Sequence, residues 1–562
     1  MLIKTEIENL IMEAVKNAQK KGVLVSFDLV SGGKSLVIAD KPLEKIHGDY
    51  SINIGLRLAS ILKKDACEIA AQIGDLLLAQ KSELVAKVEV VHPGFLNIFL
   101  SDKFIQNEVK NILKQKDKFG NLKVGLPVNK KKVLLEFLSI NPTGDLHLGH
   151  GRGAFWGDVL ANVLEKAGYN IKREYYVNNA KSSNQIKELG KTALGQGETY
   201  LTERLIAKRK AQSAKLNKLN KNLKSGIINE SEACGEAGYL MAKELLGEIK
   251  KSCKKDLKID FDVWFSEEDE LYKKNKVKKM YDWLRAHDFI YEKEGAEWLK
   301  LSQFGDSEDR VIVRSDDSHT PTYLLPDIAY HNDKIKRGFK KLINVWGADH
   351  QGHVKSMKAA LKIMGFDGQF DILITQMVSM KDGDQTVKFS KRLGNVITLK
   401  SLVDEVGLDS VRFFYLMKSL DTHMELDLEL MKEQSSKNPV FYVQYAHARI
   451  ASIARKAKSE KRKAKNKKIH LEMLSTESEL HLIKELLRLP ELVEEIAGDY
   501  QVHKLTHYAV SLADKFHHFY HECRVIAEDK LLTDARLTLI EATKITLKNT
   551  LNLLGVSAPS KM

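Results

Sequence analysis

The pattern of hydrophobic positions along this chain predicts both helices and strands. Apolar residues recur every three or four positions over residues 52–62 and 66–78, which predicts two amphipathic helices. Residues 88–100 predict a hairpin that turns at His92-Pro93-Gly94. Further along, short apolar runs predict buried strands of a parallel sheet covered by helices: residues 134–137, 171–176, 343–346 and 372–377. This order of elements predicts a multidomain α/β protein.

The last part of the chain keeps the helical period throughout. One helix face is predicted to be buried, because apolar residues repeat there at helical spacing: Leu505, Tyr508, Ala509, Leu512, Phe516, Phe519 and Cys523. Leu547, Leu551 and Leu554 repeat the pattern. Gly555 follows them and is predicted to end that helix in the left-handed conformation that glycine adopts without strain.

These patterns predict three domains. Residues 1–118 mix helix and strand, which predicts an N-terminal α+β domain. Residues 119–435 begin with a linker and then alternate strand and helix, which predicts a Rossmann-like parallel-sheet core with a lysine-rich helical insertion at about 190–260. Residues 436–562 predict an all-helical C-terminal domain.

Composition and charge indicate a polyanionic partner. The chain has 562 residues, is 43% hydrophobic and 29% charged, and carries a formal net charge of +14. This positive field suits nucleic acid. No apolar run approaches the ~20 residues of a membrane span, so no membrane partner is expected. Four scattered cysteines without a Cys-x-x-Cys pair argue against a metal site. Together with the lack of a secretory signal, they predict a cytoplasmic protein.

Two short motifs carry candidate chemistry. His147-Leu-Gly-His150 follows a predicted strand and opens a predicted helix, where backbone N–H groups favour phosphate. Gly149 and Gly151 would let a nucleotide approach the backbone closely. Lys388-Phe-Ser-Lys-Arg392 lies in a polar segment flanked by glycines. Paired histidines and a lysine loop can stabilise the charge that develops on nucleotide phosphates.

Two other nucleotide-binding motifs are rejected. Gly149-x-Gly151-x-x-Ala154 matches a dinucleotide fingerprint, but its first glycine lies well past the end of the strand, where that motif needs a tight turn. Ser31-Gly-Gly-Lys-Ser35 is similar to a phosphate-binding P-loop, but Asp28 stands at the position of its first glycine.

Longer strings around these motifs narrow the interpretation. They are Glu136-Phe-Leu-Ser-Ile-Asn-Pro-Thr-Gly-Asp-Leu-His-Leu-Gly-His-Gly-Arg-Gly153, Phe261-Asp-Val-Trp-Phe-Ser266, Tyr323-Leu-Leu-Pro-Asp-Ile-Ala329, Val345-Trp-Gly-Ala-Asp-His-Gln-Gly-His353, Gly407-Leu-Asp-Ser-Val-Arg-Phe-Phe-Tyr415 and Tyr442-Val-Gln-Tyr-Ala-His-Ala-Arg449. In this order they resemble the arginyl-tRNA synthetase family of class I aminoacyl-tRNA synthetases. The resemblance runs nearly end to end. It implies ligation of L-arginine to tRNA(Arg) by a monomer, with ATP and Mg²⁺ and without zinc.

The resemblance also implies roles for individual residues. The implied catalytic residues are His147, His150, Lys388 and Lys391. The implied ATP-binding residues are Gly149, Gly151, Gly347, Asp349 and His350. The implied arginine-binding residues are Glu136, Asn141, His147, Tyr323 and Asp327. The implied tRNA-binding residues are Asn97, Tyr442 and Gln444, and the helical C-terminal domain is implied to bind the anticodon. Arginine activation is further implied to depend on bound tRNA.

Physical reasoning supports part of this site. Tyr323 and Asp327 lie four residues apart, on one face if the segment is helical. A carboxylate accepts a guanidinium through a planar fork that an ammonium cannot reproduce. The chain departs from the family pattern at Phe389, at Asn179 and at residues 181–183, so no role is assigned to Asn179.

Three alternatives remain open at this point. Another class I synthetase would share the two motifs. A nucleotidyltransferase of the same superfamily would share the paired histidines but would not need the long helical C-terminus. A non-catalytic RNA-binding relative would also be basic but would not need intact histidines and lysines.

Overall fold

The computed structural model describes residues 2–22, 24–31, 34–42, 44–122, 131–315, 321–382, 385–387, 397–459 and 469–562. The N-terminal region contains these elements: α1 (Ile3–Lys20), β1 (Val30–Ser31), β2 (Lys34–Ser35), β3 (Ala39–Asp40), β4 (Tyr50–Ile52), α2 (Ile54–Leu62), α3 (Ala66–Ala79), β5 (Val85–Val91), β6 (Phe95–Leu100) and α4 (Asp102–Gln115).

A four-stranded antiparallel sheet of order β3-β4-β6-β5 organises this region. The predicted helices and hairpin are present, with α2 starting two residues later than expected. Two of these helices start at side-chain caps: Asp65 accepts hydrogen bonds from two backbone N–H groups at the start of α3, and Ser101 accepts one at the start of α4. The pair β1 and β2 forms a separate antiparallel hairpin, which is not the strand-to-helix turn of a P-loop.

The central region is longer and alternates strand and helix. Its elements are β7 (Lys132–Glu136), α5 (Leu148–Lys166), β8 (Asn170–Val177), α6 (Asn184–Leu194), α7 (Glu203–Ala211), α8 (Ser213–Lys224), α9 (Glu230–Lys255), β9 (Val263–Ser266), α10 (Lys276–Ala286), β10 (Ile290–Lys293), β11 (Ala296–Leu299), β12 (Arg310–Val313), α11 (Leu324–Lys336), β13 (Lys341–Gly347), α12 (Val354–Ile363), β14 (Gln369–Thr375), β15 (Val378–Asp382), β16 (Gln385–Val387), α13 (Leu399–Val406), α14 (Leu408–Leu416), β17 (Met424–Asp427) and α15 (Leu428–Lys432).

A five-stranded sheet of order β14-β13-β7-β8-β9 forms the core of the central region, and all its pairs are parallel. The four predicted strands are present. The edge strand β9 was missed, because its apolar run, Val263-Trp-Phe265, is too short to indicate a strand. The strand order reverses between β7 and β13, so their carboxyl ends open a crevice of the kind that binds ligands in α/β proteins.

The predicted helical insertion is present as α6 to α9. It packs closely because glycines face backbone across the helix pair α6 and α9. A Cβ atom at Gly190 would lie 1.8 Å from the carbonyl oxygen of Cys234, and one at Gly238 would lie 1.8 Å from that of Ile186. Arg204 of α7 forms an ion pair with Asp145, which joins the insertion to the loop before α5.

The C-terminal region is helical, as predicted. Its elements are α16 (Pro439–Ser459), α17 (Glu477–Leu487), α18 (Leu489–Asp499), α19 (His503–Glu522) and α20 (Lys530–Leu554). The apolar face predicted for residues 505–523 is buried. Gly555 ends α20 with a φ of 67°, in the left-handed conformation expected for it. The multidomain α/β fold class is therefore confirmed.

Polar contacts join the two ends of the chain. The buried carboxylate of Glu491 in α18 accepts hydrogen bonds from the backbone N–H of Lys4 at 2.9 Å and from the Tyr50 hydroxyl at 2.6 Å. Lys484 of α17 lies 2.8 Å from Asp49. The N-terminal region is therefore packed directly against the C-terminal helices.

Candidate active site

The first motif lies at the carboxyl end of the sheet. His147 is the N-cap residue of α5, and its backbone N–H donates to Nδ1 of His150 at 3.0 Å. The two imidazole rings stack with their centroids 3.5 Å apart. Both rings are half-buried, next to the first-turn N–H groups of a helix that starts beside the crevice. The arrangement gathers hydrogen-bond donors where an anion would be stabilised.

The second motif, with Lys388 and Lys391, lies outside the described residues. The chain returns to the described part at Ile397, and Thr398 pairs with His147 in an antiparallel bridge. The N–H of Leu399 donates to the carbonyl of Leu146 at 2.7 Å. The segment that immediately follows the second motif is therefore joined to the first motif, although 250 residues separate them in sequence.

The loop between β7 and α5 is held in a strained conformation. Leu138 and Ser139 have positive φ angles of 70° and 31°, which are unfavourable for residues with side chains. Hydrogen bonds from β8 maintain it: the Tyr175 hydroxyl donates to the carbonyl of Ile140 at 3.0 Å, and the N–H of Tyr176 donates to the Ser139 hydroxyl at 3.0 Å. The half-buried Asn141 follows Ile140 in this loop, next to these hydrogen bonds.

Three carboxylates converge beside this loop, and we call them the acidic pocket: Glu136, Asp327 and Glu267. Glu136 is buried at the end of β7. Burial and the charge of Glu136 raise the pKa of Asp327 to about 7, and Lys334 opposes this shift. Burial and the charge of Asp327 raise the pKa of Glu267 to about 8. A cation placed among them would relieve both the burial of charge and the mutual repulsion.

Tyr323 and Asp327 lie one helical turn apart, as the sequence predicted. The N–H of Asp327 donates to the carbonyl of Tyr323 at 3.3 Å, and Tyr323 is the N-cap residue of α11. Tyr323 is 55% exposed, whereas Asp327, one helical turn further along α11, is half-buried. This geometry suits a long cationic side chain with its charge at the inner end.

Glu267 was missed by the sequence analysis. It follows β9 directly, and β9 was not recognised as a strand. Its carboxylate accepts hydrogen bonds from the Tyr176 hydroxyl and the Ala180 N–H. In the part of the chain that the structure describes, its Oε2 atom has no hydrogen-bond partner. A buried carboxylate oxygen without a hydrogen bond costs free energy. A ligand with an N–H donor would therefore stabilise this position.

Asn179 has a structural explanation. Its side-chain oxygen accepts hydrogen bonds from the Ser266 hydroxyl at 3.0 Å and from the N–H of Glu268 at 3.1 Å. Glu268 begins a short π-helical segment, Glu268–Tyr272. The buried amide therefore fixes the turn that carries Glu267, and it does so without adding a fourth negative charge to the acidic pocket.

The predicted nucleotide residues after β13 lie in an open segment. Gly347 ends β13, and a Cβ atom there would lie 2.6 Å from an Asp349 carboxylate oxygen, so the glycine allows this carboxylate to fold back over the strand end. Asp349 and His350 are exposed, with their side chains 83% and 58% accessible. They flank the same crevice as His147, across the point where the strand order reverses.

One predicted nucleotide contact is wrong in kind. Gly151 is buried, and a Cβ atom there would lie 2.8 Å from the ring of Tyr415. The Tyr415 hydroxyl donates to the carbonyl of Leu148 at 2.8 Å. Gly151 therefore lets α14 pack against α5, whereas Gly149 is exposed in the first turn and keeps its predicted access to a nucleotide.

A second concave surface lies on the C-terminal helices, and we call it the aromatic groove. It has a volume of about 300 Å³ and is lined by Ser436, Phe441, Tyr442, Tyr445 and His517. Arg449 lies over the Tyr445 ring at 5.0 Å from its centroid. Phe441 and Tyr445 stack at 6.2 Å with a 7° angle between their planes. Parallel exposed rings with an arginine suit unpaired nucleic-acid bases.

Two of the predicted tRNA contacts have other hydrogen-bond partners in the structure. Asn97 is only 2% exposed, because it lies within the N-terminal sheet and accepts a hydrogen bond from the Ser51 hydroxyl at 2.7 Å. Gln444 donates to Asp409 at 2.8 Å and to the carbonyl of Ser557 at 3.0 Å, so it fastens the C-terminal tail to α14. Tyr442 alone of the three lies on the aromatic groove.

Among the described residues, no group of three or more histidine, cysteine, aspartate or glutamate side chains is arranged to hold a metal ion. None of the helices traced there is long and apolar enough to cross a membrane.

Comparison with known proteins decides the family. Three family models match the chain: "Arginyl tRNA synthetase N terminal domain" over residues 5–100, "tRNA synthetases class I (R), catalytic domain" over 108–452, and "DALR anticodon binding domain" over 443–562. The arginine–tRNA ligase of Geobacillus kaustophilus is 40% identical over 574 residues, covering 100% of both chains. The chain belongs to the arginyl-tRNA synthetase family.

Further relatives in the arginyl-tRNA synthetase family extend this result. The arginine–tRNA ligase of Bacillus subtilis is 39% identical, again with 100% of both chains covered. A putative arginyl-tRNA synthetase structure from Campylobacter jejuni matches with a TM-score of 0.68 at 32% identity, covering 82% of this chain and 100% of that one. The arginyl-tRNA synthetase structure from Thermus thermophilus has a TM-score of 0.73 at 21% identity over 100% of both chains, which shows the shared fold.

Proposed function

We propose that this protein attaches L-arginine to tRNA(Arg) in two steps. In the first step, a carboxylate oxygen of arginine attacks the α-phosphorus of ATP, and the bond to the β-phosphate oxygen breaks to release pyrophosphate. In the second step, a hydroxyl of the terminal tRNA ribose attacks the arginyl carbonyl carbon, and AMP leaves. Both steps are direct displacements, so catalysis consists of positioning and charge stabilisation.

The acidic pocket is the single observation that favours arginine as the amino-acid substrate. Asp327 and Glu267 face each other with raised pKa values, and Glu267 has an unpaired oxygen among the described residues. A guanidinium presents five N–H donors in a planar fork, which suits two carboxylates. In this pose Tyr323 covers the aliphatic part of the substrate. Asn141, in the loop that leads to His147, then lies on the side of the reacting carboxylate, while Glu136 stays with Asp327 in the acidic pocket.

The first motif supplies the groups for the phosphates. In this proposal His147 and His150 donate to phosphate oxygens as negative charge grows, and Gly149 lets the nucleotide approach. Gly347, Asp349 and His350 bind the ribose side. Lys388 and Lys391 hold the phosphates that leave, which fits the bridge between Thr398 and His147. Magnesium arrives coordinated by the ATP phosphates as part of the substrate, and no step is derived from it.

The aromatic groove is proposed to take anticodon-loop bases. Tyr445 is 37% exposed and lies under Arg449, and both can stack on a base. The net charge of +14 assists the approach of a polyanion. We further propose that the protein acts as a cytoplasmic monomer.

ATP–pyrophosphate exchange tests this function. Each of the standard amino acids is supplied in turn with ATP and cognate tRNA, and exchange is expected with arginine alone. Lys391→Ala serves as the catalytically impaired reference, because removing one donor to the transition state costs ~10²–10³ in rate. Exchange driven by another amino acid would assign the chain a different specificity. No exchange with any amino acid, together with retained tRNA binding, would favour a non-catalytic RNA-binding protein.

A further inference from the structure

Lys334 is a lysine buried in the wall of the acidic pocket. Its side chain is 0% exposed in the interior of the central region, in the last turn of α11. Its Nζ atom lies 2.6 Å from Oε2 of Glu136 on β7 and 3.1 Å from the side-chain oxygen of Asn344 on β13. It also lies 4.1 Å from the centroid of the Tyr330 ring. Three partners therefore surround the three donors of one ammonium group.

The contacts continue from Asn344 to Asp327. The Asn344 amide nitrogen lies 3.0 Å from Nε2 of His331, and Nδ1 of His331 lies 2.8 Å from the backbone carbonyl of Asp327. Burial and the nearby Lys334 charge lower the pKa of His331 well below its usual value, so this ring is neutral. We call the set of Glu136, Lys334, Asn344, His331 and the Asp327 carbonyl the buried network.

The donors and acceptors of the buried network run in one direction. A carbonyl can only accept, so His331 carries its proton on Nδ1 and accepts at Nε2. Asn344 must then donate its N–H to His331 and turn its oxygen toward Lys334. Lys334 donates to that oxygen and to Glu136. Each internal hydrogen bond is satisfied, and a fully satisfied buried chain fixes the groups at its ends.

We propose that Lys334 is a positioning residue of the arginine site, which holds the Glu136 carboxylate in its orientation and couples it to Asp327. Because Lys334 is fully buried, it does not touch the substrate and acts through its ion pair with Glu136 and through the effect of its charge on Asp327. The inference rests on the proposed function, since it assigns a purpose to Glu136 and Asp327 in arginine binding.

Charge balance explains why a lysine is needed here. Glu136 and Asp327 repel one another, and Lys334 offsets that repulsion. Other charged groups nearby are already engaged: Glu174 of β8 accepts from Tyr330 at 2.7 Å and pairs with Arg337, and Asp333 pairs with Lys276. Glu267, after β9, adds a further negative charge. Without Lys334, a buried Glu136 would face Asp327 without compensation, and ionisation of Asp327 would become harder.

The test measures the KM for arginine in pyrophosphate exchange as a function of pH. Lys334→Met is expected to shift the fall in KM toward higher pH by about one unit or more, which is about a fivefold or larger increase in KM at pH 7. Lys336→Met, two residues along the same helix and exposed, is the matched control and should keep the wild-type profile.

The double variant Lys334→Met, Glu136→Gln separates positioning from packing. It removes both charges at nearly constant volume, so the buried pair is replaced by neutral groups that the interior tolerates. The pH midpoint of the fall in its KM for arginine should return to the wild-type value or below. The KM itself should stay high, because the Glu136 contact is lost. A wild-type midpoint in folded Lys334→Met, or a double variant with a midpoint above wild type, would overturn the proposal. Absence of arginine-dependent exchange in the wild type would instead refute the proposed function.

Discussion

At the scale of single residues, Asp327 is expected to select arginine by its charge. Asp327→Asn should largely abolish the preference for arginine over citrulline, an analogue of nearly the same shape but without charge. A site that pairs with a polar group of its substrate can reject an analogue without that group by a factor of roughly 10⁴ or more. The measurement is competition in pyrophosphate exchange, with the exposed Asp288→Asn as the control. Retention of the wild-type preference by Asp327→Asn would show that another group selects the guanidinium.

The acidic pocket also predicts a pH dependence. The pKa of Asp327 is raised to about 7 and that of Glu267 to about 8, so below these values the empty pocket holds protons. A guanidinium needs the ionised carboxylates and must displace those protons. The KM for arginine should therefore fall as pH rises through about 7 to 8, while the KM for ATP changes less. A KM for arginine that is constant across this window would contradict the assignment of these two groups.

At the scale of secondary-structure elements, the aromatic groove between α16 and α19 carries a prediction. Tyr445→Ala should raise the KM for tRNA by about tenfold or more, because base stacking on an aromatic ring is worth ~1–3 kcal/mol. The maximal aminoacylation rate at saturating tRNA should remain near wild type. His518→Ala, on the adjacent and exposed part of α19, is the control. Equal effects of the two substitutions would remove the groove from the tRNA interface.

Long elements were predictable from sequence, and short or long-range features were not. The period of α19 and the cap at Gly555 were read correctly, because local patterning determines them. The edge strand β9 was missed, and with it Glu267, since its apolar run of three residues is too short to indicate a strand. The burial of Asn97 beside Ser51 and the hydrogen bond from Gln444 to Ser557 were not predicted, because no local pattern reveals partners that are distant in sequence.

At the scale of the whole molecule, Arg412 joins the catalytic sheet region to the C-terminal helices. Its buried guanidinium pairs with Asp158 of α5 and donates to the carbonyls of Leu257 at 2.9 Å and Leu554 at 3.1 Å. Arg412→Met should destabilise the protein by about 3–5 kcal/mol, since Asp158 and two carbonyls lose their partner. Thermal unfolding and limited proteolysis measure this effect, with the exposed Arg285→Met as the control. Unchanged unfolding would show that the contact is dispensable.

Arginine activation is expected to depend on tRNA. Pyrophosphate exchange should be slight with ATP and arginine alone and should rise when cognate tRNA is added, with a strong dependence on salt. Deleting residues 436–562 is not a clean test, because Arg412 and the core packed around α20 would lose their partners. Tyr445→Ala at limiting tRNA is the better perturbation. Full exchange in an RNase-treated preparation would refute the dependence.

The contact between Lys4 and Glu491 has a consequence for how the chain is made. Its two partners are separated by 487 positions. At a synthesis rate of about 5–20 residues per second, the first helix therefore waits roughly 25–100 s for its partner to leave the ribosome. During that interval the surface of the N-terminal region that later covers α17 and α18 is open to solvent and to chaperones. Packing of the N-terminal region against the C-terminal helices is then one of the last events in the folding of the newly made chain.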